Sequence, residues 1–185
     1  MYDKEGDSMI YILTGVAKSG KSLLAKEILK KKHIATFSTD YIMMMLQRGN
    51  KDLNIDIFAS DPVVAKKIEP YIHGLIATMI ENKDSYIIEG VHFNPEFSRR
   101  LLDEFNDQIK ILYLGYKDIS LDSKTSELIK YKDTMNNPWL FNHLDYTLED
   151  IVSYMIKESN RIYQECLIQG LDYIDIFDIN RQKDQ

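Results

Sequence analysis

Gly15-Val16-Ala17-Lys18-Ser19-Gly20-Lys21-Ser22 follows the spacing Gly-x-x-x-x-Gly-Lys-Ser/Thr, and this octet restricts the chain more than any other stretch. The preceding Met9-Ile10-Tyr11-Ile12-Leu13-Thr14 is an apolar run of strand length, and Ser22 to Lys30 carries a helical pattern of about two and a half turns. Strand, tight loop and helix start, in that order, make a cradle for phosphates. Backbone amides converge on crowded phosphate oxygens only where the chain curls tightly, which Gly15 and Gly20 permit because they lack a Cβ. The helix start adds unpaired amides and a positive dipole end. In this setting Lys21 reaches the β- and γ-phosphates, and the Ser22 hydroxyl is placed to ligate Mg²⁺.

The rest of the chain alternates strand-length and helical patterns. His33 to Ser38 reads as a second strand, and Asp40 follows its carboxyl end, where open α/β sheets bind ligands. Tyr41 to Arg48 reads as a helix whose Met43, Met44, Met45 and Leu46 are apolar, and Lys51 to Ser60 as a loop or broken helix. Asp61-Pro62 opens a long helix through Asn82, which Pro70 is expected to kink. A third strand ends in Glu89-Gly90-Val91-His92, with the Glu89 carboxylate placed to hold Mg²⁺ through water or to orient a nucleophile. His92 is either a neutral histidine hydrogen-bonded at the mouth of the site or a substrate contact.

Asn94-Pro95 starts a helix with Phe97, Leu101, Leu102 and Phe105 on its apolar face. Arg99 and Arg100 differ by about 100° around its axis, so one of them is expected to face the cleft. Ile109 to Gly115 is a fourth strand. The polar stretch at about 116–145 occupies the position of a closing lid, with Lys117, Lys124, Lys130 and Lys132 as its cations and no arginine between Arg100 and Arg161. Thr147 caps a long helix that Gly170 closes, and Leu171 to Phe177 reads as an edge strand whose aspartates lie on a solvated face.

Composition narrows the setting. The 185 residues suit one domain, residues 9–185, preceded by a polar, acidic extension at residues 1–8. A single cysteine, Cys166, fits a reducing compartment, and apolar runs of only about six residues argue against a membrane span. A cytoplasmic protein is expected. The net charge of −6 disfavours a broad nucleic-acid surface, which needs clustered Lys and Arg.

Five strands separated mostly by helices specify a parallel sheet with right-handed crossovers. The phosphate loop, Ser38-Thr39-Asp40, the Ile88 to His92 segment and the long helix before Asp172-Tyr173 together resemble small P-loop kinases of the nucleoside-monophosphate-kinase-like superfold. Glu89-Gly90-Val91-His92 is similar to 2-phosphoglycerate kinase-like proteins, and Asp40, 18 positions after Ser22, resembles the placement in shikimate- and gluconate-type kinases. The resemblance implies a P-loop NTPase three-layer αβα sandwich on a five-stranded parallel sheet of order 2-3-1-4-5, with Glu89 beside Ser22. It also implies ATP and Mg²⁺ as cofactors.

An alcohol, unlike an anionic phosphate oxygen, benefits from a carboxylate that takes its proton. A hydroxyl of a small metabolite is therefore the expected acceptor, with Asp40 as base or positioning group and Lys21 and Glu89 completing the catalytic set. Asp40, Arg48, His92 and one of Arg99 or Arg100 are the candidates for holding the acceptor, the arginines by meeting an anionic group. Two other functions share the same loop: a nucleotide-binding regulatory module with little transfer, and a toxin-like kinase acting on a nucleotide, sugar nucleotide or tRNA.

Overall fold

The computed structural model describes residues 8–134, 138–142 and 145–176. The expectations for residues 1–7 and for Phe177 lie outside this set, as do parts of the segment at about 116–145.

Strand β1 (Ile10–Gly15) leads into helix α1 (Lys21–Lys32), and β2 (Ala35–Ser38) into α2 (Thr39–Gly49). The long α3 (Asp61–Glu81) precedes β3 (Tyr86–Glu89), and α4 (Pro95–Phe105) precedes β4 (Ile109–Gly115). Helices α5 (Leu121–Lys130) and α6 (Leu148–Gln169) come before the short β5 (Tyr173–Asp175). All pairings are parallel, in the order β2-β3-β1-β4-β5. Parallel strands need crossovers, and the helices that supply them cover both faces of the sheet.

Burial on both faces explains why β1 reads as a continuous apolar run. Ile10 and Ile12 are fully buried in the larger core shared with α2, α3, α4 and α6, while Leu13 on the other face packs with Ala25 of α1 and Ile87 of β3. The register sets Leu13 of β1 opposite Glu89 of β3, which brings the end of β3 next to the phosphate loop.

Local signals fix several boundaries. The Ser38 hydroxyl accepts from the Asp40 amide, so α2 begins at Thr39 and Asp40 lies in its first turn, two residues earlier than the apolar pattern indicates. Thr147 and Asp150 form a reciprocal capping box at the start of α6, and Gly170 ends that helix in the left-handed conformation. The aspartates of the last strand do not share a solvated face: Asp175 is buried and accepts a hydrogen bond from the Lys117 amide at 2.9 Å. Cys166 is completely buried, and burial pushes its thiol up to about 12, as for a core residue and not a nucleophile. No described helix is long and apolar enough to cross a membrane.

Candidate active site

The phosphate loop is shaped by close backbone contact. Gly15 has a φ of +113°, and a Cβ at this position would lie 2.1 Å from the Leu114 carbonyl oxygen, which instead accepts from the Val16 amide at 3.2 Å. Only glycine fits. Lys18 (φ +56°) and Gly20 (φ +82°) adopt left-handed conformations, giving the alternation that turns successive amides into one concavity.

Lys21 is buried under this loop, and its ammonium donates to the Gly15 carbonyl at 3.4 Å, the Val16 carbonyl at 2.5 Å and the Ser19 hydroxyl at 3.2 Å. Burial lowers its pKa to about 8, against the opposing pull of Glu89, Asp61 and Asp40. The Ser22 hydroxyl donates to Glu89 Oε2 at 3.0 Å, joining the first turn of α1 to the end of β3. A hydroxyl and a carboxylate suit Mg²⁺, a hard cation that takes one or two protein oxygens and completes its shell with phosphates and water. No group of three His, Cys, Asp or Glu placed to hold a metal occurs among the described residues.

Asp40 and His92 come together at the ends of β2 and β3. His92 is almost fully buried, its Nδ1 2.8 Å from the Thr39 hydroxyl and 3.8 Å from Asp40 Oδ1. Burial, helped by the Lys21 charge, lowers its pKa to about 4, so the imidazole is neutral near pH 7. The Asp40 side chain is 66% exposed. Its pKa is nonetheless raised, because the surrounding protein removes water from the carboxylate more strongly than Lys21 and Lys18 restore its charge.

The three candidate arginines are not brought to this cluster. Arg48 is exposed in the last turn of α2, at the opposite end of the helix from Asp40. Arg99 pairs with Asp103 one turn along α4 at 2.6 Å, and Arg100 binds Glu96 and Glu69 of α3. None of them lines the small cavity beside the loop.

That cavity is formed instead by Gly15, Val16, Asp61, Asn94, Glu158 and Arg161 with their neighbours. The Asp61 carboxylate makes no hydrogen bond or ion pair among the described residues. Burial first, then the charges of Glu158 and Asp40, push it up to about 6 despite Lys21 and Arg161. The Arg161 guanidinium is divided between Glu158 at 2.9 Å and Glu165 at 2.6 Å. Sequence reasoning took Asp61 only as a helix opener, yet a signal was present. A helix that feeds a parallel strand starts at the carboxyl edge of the sheet, so the first residue of α3 must lie near the loop.

Loop, parallel sheet and strand order define a small P-loop kinase fold. Among solved structures, the chain is similar to shikimate kinase from Bacteroides thetaiotaomicron at a TM-score of 0.54 and 15% identity, covering 90% of this chain and 85% of that one. It is also similar to the YorR protein of Bacillus subtilis, solved in complex with phosphorylated GDP, at 0.50 and 12%, covering 90% and 84%. A chain of the Pnkp1/Rnl/Hen1 RNA repair complex matches at 0.51 and 12%, covering 88% of this chain and 47% of that one. No protein-family model and no curated protein matches the chain.

Proposed function

We propose that the chain transfers the γ-phosphoryl group of ATP to a hydroxyl of a small metabolite, with Mg²⁺ as cofactor. The observation that carries this reading is the convergence of Lys21, the Ser22–Glu89 pair and the Asp40 carboxylate at one edge of the sheet. Loop amides and Lys21 hold the β- and γ-phosphates. Ser22 and Glu89 would hold Mg²⁺, whose charge helps neutralise the phosphate oxygens. Asp40 takes the acceptor proton as the acceptor oxygen bonds to the γ-phosphorus and the bond from that phosphorus to the β–γ bridging oxygen breaks, releasing ADP. Its raised pKa favours proton acceptance in the transition state.

The charge of the acceptor side supports a neutral or amine-bearing acceptor over a carboxylate or phosphate. In the cavity beside the loop, the Asp61 carboxylate has no hydrogen bond or ion pair among the described residues, and Arg161 is already neutralised by two glutamates. The test is incubation with labelled ATP and a metabolite extract, followed by mass spectrometry of newly phosphorylated species. Asp40→Asn should abolish product formation while leaving MgADP affinity unchanged, whereas Lys21→Ala should lose both. Normal turnover by Asp40→Asn would remove the base.

One observation favours the regulatory reading. The lysines of the segment after β4 are engaged elsewhere: Lys117 with Asp118, Lys124 inside the protein, Lys130 over the Tyr131 ring and Lys132 over Phe141. A γ-phosphate lacking lid cations transfers slowly. Tight MgATP binding with no product from any extract would favour that function.

A further inference from the structure

Four successive carbonyls of the phosphate loop, from Gly15 to Lys18, accept hydrogen bonds from side chains. Lys21 serves the first two. The other two are held from outside the loop by residues about a hundred positions away. The Tyr116 hydroxyl donates to the Ala17 carbonyl at 2.7 Å, and the Lys124 ammonium donates to the Lys18 carbonyl at 3.0 Å. Both side chains are completely buried. They also support each other, with the Lys124 ammonium 4.2 Å from the centre of the Tyr116 ring and 3.1 Å from Glu127 Oε1.

A completely buried lysine on a ten-residue surface helix needs a reason, because moving an ammonium out of water is costly unless it is paired and hydrogen-bonded. Burial does lower the pKa of Lys124, with Glu127 opposing the shift. The reason lies in peptide geometry. In a planar trans peptide the carbonyl and the following amide point in opposite directions. Fixing the Ala17 and Lys18 carbonyls on the outside therefore aims the Lys18 and Ser19 amides toward the concave side. The same bonds hold Lys18 at its φ of +56°, which a lysine rarely adopts.

We propose that Lys124, together with Tyr116, is a positioning residue for the nucleotide: a buried strut from α5 that sets the phosphate loop in its binding geometry before any ligand arrives. The role of the loop as a nucleotide cradle supplies the ligand; the strut itself is a property of the free protein. Because α5 is part of the segment that follows β4, the strut also ties that segment to the loop.

The test uses Lys124→Met, which keeps an apolar stem and removes the ammonium, with Lys124→Arg as the conservative variant and Tyr116→Phe as a second break that leaves the ring. Amide hydrogen exchange is followed over residues 16–20 and over α6 in the ligand-free protein, and MgADP affinity is measured by calorimetry. Lys124→Met is expected to speed exchange at residues 16–20, leave α6 unchanged and weaken MgADP on the order of tenfold. Tyr116→Phe should act in the same direction, and Lys124→Arg should restore part of both effects. Wild-type exchange and affinity in Lys124→Met and Tyr116→Phe would overturn the proposal. So would a uniform loss of protection in loop and α6 together, which marks a packing residue. Faster loop exchange in Lys124→Met, with no MgADP binding by the wild type, would uphold the strut and overturn the nucleotide reading instead.

Discussion

Replacing Gly90 with alanine tests the contact that holds Thr39 and His92 beside Asp40. Gly90 leaves β3 with a φ of +155° and donates its amide to the Leu13 carbonyl at 3.1 Å. A Cβ at this position would fall 1.8 Å from the Thr39 hydroxyl oxygen and 3.0 Å from Thr39 Cβ. Thr39 is completely buried and its hydroxyl meets His92 Nδ1, so it cannot rotate away without leaving that nitrogen unsatisfied. Overpacking costs about 1–3 kcal/mol and the left-handed backbone about 1–2 kcal/mol, which gives roughly 2–5 kcal/mol for the substitution. At about 2–4 °C per kcal/mol for a domain of this size, Tm should fall by roughly 4–20 °C.

Gly74→Ala is the control. It lies within α3 with nothing within 4 Å of the added Cβ, and should stabilise the helix by about 0.5–1 kcal/mol. Urea unfolding followed by circular dichroism compares the two variants directly. Gly90→Ala within about 0.5 kcal/mol of the wild type would refute the reasoning, because a change that small belongs to an unconstrained surface position.

Ser22→Ala and Glu89→Gln should each raise the Mg²⁺ concentration needed for ADP binding, read from ADP titrations at fixed Mg²⁺ levels; an unchanged requirement would remove the pair from the metal role. Asp61 and His92 should act oppositely on acid stability. The folded-state pKa of Asp61 is raised to about 6, so its contribution is lost as pH rises from about 4 to 6. The folded-state pKa of His92 is lowered from 6.5 to about 4, so the unfolded chain gains the proton first and stability falls as pH drops through that window. Asp61→Asn leaves the His92 effect uncompensated and should lose up to about 3 kcal/mol more than the wild type between pH 6.5 and 4, by chemical denaturation. Parallel profiles for the two proteins would contradict this.

What the sequence made legible was local. The loop carries its own glycine spacing, Thr147 and Gly170 mark the ends of α6, and Glu89 follows an apolar run of strand length. The strand order is different, because nothing within β1 or β3 states that they are neighbours; it came with the resemblance to a known fold. Side chains whose roles depend on distant partners were the hardest to place. Helical spacing left Arg99 and Arg100 equivalent, and the choice was made by acids, one of them on α3. Lys124 reads as one of four lid cations until α5 is laid against the loop, where its ammonium is fully buried and bonded to the Lys18 carbonyl.

The two halves of the site also differ in how their charge is handled. On the donor side, Lys21 stands among Glu89, Asp61 and Asp40, so a triphosphate entering the loop meets a cation with acids nearby. Mg²⁺ at Ser22 and Glu89 would offset much of that repulsion, which makes nucleotide affinity depend strongly on the metal. In the cavity that holds Asp61 the compensation is only partial, coming from Lys21 and Arg161. Asp61 is pushed up by Glu158 and Asp40 as well as by burial, and the one arginine in the cavity is shared by two glutamates. An acceptor carrying a carboxylate would add a further negative charge beside Asp61 and Asp40, raise the pKa of both and lose affinity as pH increases. A protonated amine would do the reverse, drawing Asp61 back toward the ordinary carboxylate range and binding more tightly above pH 6 than below it. The pH dependence of acceptor binding thus reports the sign of the acceptor's charge even before its identity is known.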